Sequence, residues 1–166
     1  MEYTYKKIDE TDKDKVFNLI DVVMKGLKSA DFCVPFEQWE YDSMFDDKNY
    51  APCFGAYDGD KLVGMMQLYV SQDFLADIKK ELGLLKYKCC ELGGALILSE
   101  YRSHGIAVNL GMMCYKAAQD LGFDYIVAAA HPENRSSYHT LERYADCVKE
   151  ANVGGYVRKL YMKKLK

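Results

Sequence analysis

Residues 96–107 read Leu96-Ile97-Leu98-Ser99-Glu100-Tyr101-Arg102-Ser103-His104-Gly105-Ile106-Ala107. The apolar start predicts the end of a strand, and the pattern from Val108 to Leu121 predicts a helix, so the turn between them has the form Arg-x-x-Gly-x-Ala. Amides at a helix start lack partners within the helix and carry the positive end of its dipole, so they bind anions such as phosphate. Gly105 lets a ligand approach the main chain, and Arg102 adds a charge suited to a pyrophosphate.

A second unit of strand, turn and helix follows this one. The apolar run from Phe123 to Ala130 predicts the strand. The turn after it contains Asn134, a residue type that commonly caps a helix, and Ser137 lies almost one helical turn further on, so it faces the same way. The whole segment reads His131-Pro132-Glu133-Asn134-Arg135-Ser136-Ser137, with Leu141-Glu142-Arg143 on the helix behind it.

In this order and spacing the two units resemble the acetyl-CoA-binding segments of the GCN5-related N-acetyltransferase (GNAT) superfamily. The resemblance covers roughly residues 86–145. It implies a single α/β domain over residues 1–166, with a mixed central β-sheet whose central strands splay apart and which is flanked by helices. It also implies acetyl-CoA as the co-substrate, and no metal.

The order of predicted elements agrees with this fold. A length of 166 residues with 49% hydrophobic and 28% charged residues is typical of one globular domain. The pattern predicts β-α-α-β-β-(α)-β-α-β-α-β-β, in which the first helix starts with a capping box at Thr11–Asp14. The other bounds are strands at Tyr3–Ile8, Cys53–Tyr57, Leu62–Val70, Tyr87–Leu98 with Gly93-Gly94 inside it, Asp146–Glu150 and Tyr156–Leu165, and helices from Thr11 to about Lys28, at Phe36–Phe45 and within 73–85.

Charge and composition limit the classes of partner that the chain is expected to bind. A net charge of −3 argues against nucleic-acid binding, and no stretch has the length of a membrane span. The N-terminus lacks the apolar core of a signal peptide, so the expected location is cytoplasmic. The six cysteines form no Cys-x-x-Cys pair and are expected to be reduced and mostly buried. Early acidic residues form either a solvated face or a surface for a cationic amine; they are Asp31, Glu37, Glu40, Asp42, Asp46 and Asp47.

The resemblance assigns cofactor-binding roles. Strand backbone would pair with the pantetheine arm, and the turn amides would wrap the pyrophosphate. Asn134 would hydrogen-bond the arm, or else only cap its helix, and Ser137 would contact the sulfur end or the phosphate arm. The strand residues are Leu96, Ile97 and Leu98, and the turn residues are Arg102, Ser103, His104, Gly105, Ile106 and Ala107.

The implied reaction is attack of an amine on a thioester, so a protonated amine must first lose a proton. Glu91 lies 11 residues before Arg102, at the start of the central strand. This is the offset of the glutamate base in the histone acetyltransferase branch. Half-burial would raise the pKa of Glu91 toward a useful value. The alternative is an ordinary glutamate near a strand end.

The proton donor to the leaving thiolate departs from the family pattern. Many members carry a Tyr where this chain has Leu141, although the branch that modifies protein N-termini has the same Leu. Tyr138, one turn earlier, is the predicted donor, and Tyr144 is more typical of a core residue. A second departure is Tyr144-Ala145-Asp146-Cys147, where the family often has Gly-Phe, so the turn and the substrate side of the cleft are expected to differ there.

These observations predict acetyl transfer from acetyl-CoA to a primary amine, in a ternary complex without a covalent enzyme intermediate. The acceptor would be a small-molecule amine, a peptide N-terminus or a lysine side chain, and a homodimer is compatible with the sequence. Two alternatives remain. One is a non-catalytic acyl-CoA-binding or regulatory module with the same fold; the other is an unrelated α/β enzyme whose phosphate turn holds a nucleotide.

Overall fold

The computed structural model describes residues 2–46 and 52–166, so Asp47 lies outside the described residues. The strands are β1 (Thr4–Lys7), β2 (Cys53–Asp58), β3 (Lys61–Tyr69), β4 (Cys89–Ile97), β5 (Tyr125–Ala130), β6 (Asp146–Val153) and β7 (Tyr156–Lys164). The helices are α1 (Lys13–Lys25), α2 (Gln38–Phe45), α3 (Ala76–Glu81), α4 (Ile106–Asp120) and α5 (Arg135–Leu141). The strands form one seven-stranded sheet in the order β1-β2-β3-β4-β5-β7-β6.

The predicted single α/β domain with a mixed sheet is confirmed, and only local bounds differ. Helix α4 begins at Ile106, before the predicted Val108, because Gly105 in the left-handed region ends the turn there. The capping box predicted at Thr11 is wrong. It is formed by Asp9 and Asp12, and the buried Asp12 carboxylate also pairs at 2.9 Å with the Lys6 ammonium at the end of β1, which helps to hold the box at this position.

The centre of the sheet opens into a wedge. Strands β4 and β5 are parallel neighbours, but they pair only over Cys89–Glu91 and Tyr125–Val127. Beyond these pairs β4 continues along β3, and β5 continues along β7. We call the gap between residues 92–97 of β4 and 128–130 of β5 the wedge. The predicted splaying of the central strands is therefore present.

A bulge lies in β4 beside the wedge. The β3–β4 register shifts directly after Gly93: Gln67 pairs with Gly93, whereas Met65, two residues earlier, pairs with Leu96. Gly94 has φ +56°, a left-handed conformation that favours glycine. The two adjacent glycines in the sequence thus mark a true interruption of the strand.

Helices cover both faces of the sheet. Gln67 and Tyr69 of β3 contact α2, whereas a side chain at Gly64 would meet Ile106 of α4. Odd- and even-numbered positions of a strand point to opposite faces, so α2 and α4 lie on opposite sides. Within 2–46 and 52–166, no helix is both long and apolar enough to span a bilayer.

The contact between α4 and the segment after α5 depends on a glycine. The Tyr144 hydroxyl donates to the Val108 carbonyl, and a Cβ at Gly111 would lie 2.6 Å from the Tyr144 ring. We expect Gly111→Ala to lower the free energy of unfolding by about 1–3 kcal/mol, because the ring must move away. Thermal unfolding measures this as a fall of about 2–4 °C in Tm per kcal/mol. Gly26→Ala, whose Cβ would make contacts of 3.5 Å or more, is the control; equal Tm values for the two variants would contradict the packing argument.

Candidate functional site

The turn between β4 and α4 presents a series of unpaired amides. Ser103 has φ 65° and Gly105 has φ 77°, so the backbone curls on itself before Ile106 begins the helix. Within the described residues, the backbone N–H groups of 103–108 donate no hydrogen bond. A Cβ added at Gly105 would meet no atom of residues 2–46 or 52–166 within 4 Å. The turn thus combines free donors, a helix N-terminus and open space above it, which is the arrangement that binds a phosphate group.

Side-chain contacts hold both ends of this turn. The Tyr101 hydroxyl donates to Asp58 in the β2–β3 hairpin at 2.9 Å, and Asn109 in the first turn of α4 donates to the Tyr5 hydroxyl at 2.9 Å. Arg102 and His104 are exposed. Arg102 contacts no carboxylate within the described residues, so its charge is free for an anion.

The backbone of β4 offers the wedge fewer groups than the sequence suggested. The Leu98 N–H already donates to the Val63 carbonyl on β3 at 3.0 Å. Because successive residues alternate direction, Leu96 turns its N–H and C=O toward its partner Met65, whereas Ile97, opposite Gly64, turns its N–H and C=O toward the wedge. The Ile97 carbonyl accepts from Arg102 Nε at 3.3 Å, so of these two groups the N–H is the one without a partner in the described part of the chain. The side chains of Leu96 and Leu98 are buried in the core.

Asn134 lies on the other side of the wedge, between the end of β5 and the start of α5. Its side-chain oxygen accepts from the Ser137 N–H at 3.4 Å, so it does cap the helix. The cap uses only the oxygen, and within the described residues the side-chain NH2 of Asn134 and the hydroxyl of Ser137 make no hydrogen bond. Asn134 can therefore cap α5 and donate to a ligand at the same time.

These groups fit an elongated ligand with a diphosphate and an amide-bearing arm. The free turn amides and Arg102 suit the diphosphate. The Ile97 N–H and the Asn134 NH2 stand on the two sides of the wedge and suit the amides of the arm. Acetyl-CoA has both parts, so the residues present fit it.

Glu91 lies where the wedge begins, as the last β4 residue that pairs with β5. It is half-buried, and it makes no hydrogen bond or ion pair within the described residues. Burial, with a smaller contribution from the neighbouring Glu40 carboxylate, raises the pKa of Glu91 to about 7. A carboxylate with this pKa is half-ionised near neutral pH and can accept a proton from an incoming ligand.

Tyr138 and Tyr144, the two candidate proton donors, differ in the contacts of their hydroxyl groups. The Tyr138 side chain is half-buried, its ring lies 4.1 Å from the Lys159 ammonium, and its hydroxyl makes no hydrogen bond within the described residues. The Tyr144 hydroxyl is engaged by the Val108 carbonyl, and burial raises the pKa of Tyr144 to about 12. The geometry therefore favours Tyr138 over Tyr144.

The cysteine thiols are poorly suited to act as nucleophiles. All six thiols are free, and Cys53, Cys89, Cys90 and Cys114 are buried. Burial raises the pKa of Cys33 to about 11 and raises the pKa of each buried thiol. In the part of the chain that the structure describes, no group of three or more His, Cys, Asp or Glu side chains could hold a metal ion.

The sequence did not predict an aromatic group that lies beside Glu91. Tyr69 pairs with Glu91 across β3 and β4, and its ring centroid lies 6.0 Å from that of Trp39 and 5.2 Å from that of Phe74. We call these three residues the aromatic trio. They come from α2, from β3 and from the segment before α3, so no local sequence motif could have predicted their contact.

Comparisons with known proteins agree with this geometry. The sequence profile of the acetyltransferase (GNAT) family matches residues 22–145, whereas no curated protein matches the chain. An N-acetyltransferase from Staphylococcus aureus Mu50 shares 16% identity, with a TM-score of 0.75 over the whole of both chains. The PaiA N-acetyltransferase from Thermoplasma acidophilum, solved with coenzyme A, shares 13% identity with a TM-score of 0.71 over 99% of both chains. Arabidopsis thaliana NAA60, solved with acetyl-CoA, shares 13% identity with a TM-score of 0.72 over 97% of this chain and 96% of its own.

Proposed function

Because the chain belongs to the GNAT acetyltransferase family, we propose that it transfers an acetyl group from acetyl-CoA to a primary amine by direct attack in a ternary complex. The observation that carries this proposal is the run of free amides at 103–108, which faces open space beside the wedge. The solved complexes of similar folds with coenzyme A and acetyl-CoA support the same cofactor.

The cofactor supplies a thioester, and this chain supplies its binding groups. The amides of Ser103 to Ala107, with Arg102, would hold the pyrophosphate through charge-assisted hydrogen bonds. The Ile97 N–H and the Asn134 NH2 would hold the amide-bearing arm along the wedge. Ser137, next to Asn134, would contact the same arm.

Glu91 would act as the base. The ammonium group of the acceptor gives one proton to the Glu91 carboxylate, directly or through water, and Glu91 later releases it to solvent. The free amine then forms the new C–N bond while the C–S bond breaks. The nitrogen loses a second proton, and the sulfur gains one to leave as a thiol, so one proton is released per turnover.

Tyr138 would protonate the leaving sulfur. Leu141 has no proton to give, and the hydroxyl of Tyr138 is free in the described structure. We expect Tyr138→Phe to lower kcat about 10²-fold, the low end of the range for general acids, with the Kd for acetyl-CoA unchanged. Stopped-flow or steady-state thiol release measures kcat, and Tyr144→Phe is the matched control. Full turnover by Tyr138→Phe would exclude Tyr138 as the donor.

Thiol release over a diverse amine library tests the proposed function. Intersecting initial-rate lines for acetyl-CoA and amine would support a ternary complex, and parallel lines would contradict it. In a thermal-shift comparison, acetyl-CoA at about 100 times its Kd should stabilise the protein by about 2.7 kcal/mol, and ATP and NAD should not. Binding of acetyl-CoA without turnover of any amine would instead identify a non-catalytic module, and stabilisation by a nucleotide alone would identify an unrelated phosphate site.

A further inference from the structure

Tyr69 links two carboxylates on one face of the sheet, because it pairs with Glu91 across β3 and β4 and its hydroxyl bonds to Glu40. The Glu40 carboxylate accepts from the Tyr69 hydroxyl at 2.6 Å and from the Glu37 N–H at 2.7 Å. Neither Glu40 nor Glu91 forms an ion pair within the described residues. Two neighbouring carboxylates repel each other when both are ionised, so a positively charged ligand between them is favoured.

The aromatic trio adjoins these carboxylates and exposes large apolar side chains. Trp39 is 36% exposed and Phe74 is 46% exposed, and their ring centroids lie 4.8 Å apart. The Trp39 indole N–H donates to Glu37 at 2.7 Å, which fixes the orientation of the ring. Aromatic faces attract ammonium groups and also bury methylene chains.

The buried side-chain amide of Gln67, on the same face of β3 as Tyr69, is only half satisfied within the described residues. Gln67 is fully buried, and its side-chain nitrogen donates to the Ser43 hydroxyl at 3.2 Å. Among the residues that the structure describes, its side-chain oxygen has no partner. A Cβ at Gly94 in the bulge would lie 3.3 Å from Gln67 Cβ and 3.2 Å from the Tyr69 hydroxyl. An unpaired buried acceptor next to the bulge is satisfied when a donor arrives there.

We propose, on the premise of the proposed function, that this acidic and aromatic pocket takes a diamine: an acceptor with two ammonium groups joined by a short aliphatic chain. The pocket consists of Trp39, Glu40, Gln67, Tyr69, Phe74 and Glu91. The reacting amine lies beside Glu91. The second ammonium lies against Glu40 and the open faces of Trp39 and Phe74, and the methylene chain contacts the rings.

The test compares 1,4-diaminobutane with n-butylamine, which has the same carbon chain and one amine. We expect kcat/KM to be at least about 30-fold higher for the diamine, beyond the twofold factor for two equivalent amines, because a cation held by a carboxylate and an aromatic face is lost in the monoamine. Glu40→Gln and Trp39→Ala should each reduce this preference, measured as the ratio of the two kcat/KM values, about tenfold. Rates are measured at pH 8.5, where Glu91 is ionised in every variant.

The matched control is Asp42→Asn, which removes the same charge from α2 at a carboxylate whose hydrogen-bond partner among the described residues is Gln38. The control should keep the full preference for the diamine. Equal kcat/KM for the two amines, or a preference that survives both Glu40→Gln and Trp39→Ala, would overturn the diamine site while leaving the proposed function intact. A lack of turnover with every amine would instead overturn the proposed function.

Discussion

Glu91→Gln is expected to lower kcat about 10²–10⁴-fold, the range typical of losing a general base. Below pH 7 the raised pKa of about 7 keeps Glu91 protonated, so it cannot accept the ammonium proton. The wild-type kcat/KM should therefore rise with pH through about 7 and then level off. In the variant this rise should move toward the pKa of the amine itself, near about 10 for a lysine-like amine. Thiol release between pH 5.5 and 9.5 measures both profiles.

Stability separates loss of the base from loss of the fold. The folded state holds the Glu91 proton more tightly than the unfolded state, so between about pH 4.5 and 7 a rise in pH lowers wild-type stability, by at most about 3 kcal/mol. Glutamine does not ionise, so it causes no such loss. The difference in Tm between Glu91→Gln and wild type should therefore increase by several degrees, in favour of the variant, from pH 5 to pH 8. The control Glu150→Gln, exposed on β6, should change neither activity nor this difference. A variant with normal kcat, or with the wild-type pH profile, would remove Glu91 from the mechanism.

Gly105→Val is expected to raise the Kd for acetyl-CoA about 100-fold. Gly105 has φ +77°, which a β-branched residue avoids, so the turn must change and the amides of 103–108 lose their common direction. Each hydrogen bond from an amide to a charged phosphate contributes about 1.5–3 kcal/mol, and the loss of one or two accounts for the expected change. Isothermal titration with acetyl-CoA measures the Kd.

The matched control for Gly105→Val is Gly154→Val. Gly154 also has a positive φ, +59°, and its added Cβ would also meet no described atom within 4 Å, but it lies in the β6–β7 turn. Both variants should lose similar thermal stability, and only Gly105→Val should lose affinity. A Kd for Gly105→Val within about threefold of wild type would mean that the turn does not bind the pyrophosphate.

What the sequence revealed was local. The turn from Arg102 to Ala107 could be predicted because a glycine, a small residue and a helix start lie within a few positions of one another. The direction of the Ile97 amide could not, because the bulge at Gly94 sets the register with β3. The position of the capping box could not be predicted from the Thr11 pattern alone, because the Lys6 ammonium of β1 pairs with the Asp12 carboxylate six residues further on.

The surroundings of Glu91 show the same limit. Its position on the central strand and its partial burial could be anticipated from the apolar run around it. Its pKa also depends on Glu40, which the Tyr69 hydroxyl holds in place from a different element. Trp39 and Phe74 are far apart in the chain and meet only once α2 and the segment before α3 have packed against β3.

Because β4 and β5 separate, this sheet has four exposed strand edges, whereas an open sheet with continuous pairing has two. Two of them, the inner margins of residues 92–97 and 128–130, carry main-chain groups able to recruit a foreign strand, which is how sheet proteins aggregate. The coenzyme would cover both margins at once and join the two halves of the sheet. Its concentration would therefore govern colloidal stability as well as turnover, and protein freed of coenzyme would precipitate sooner on storage.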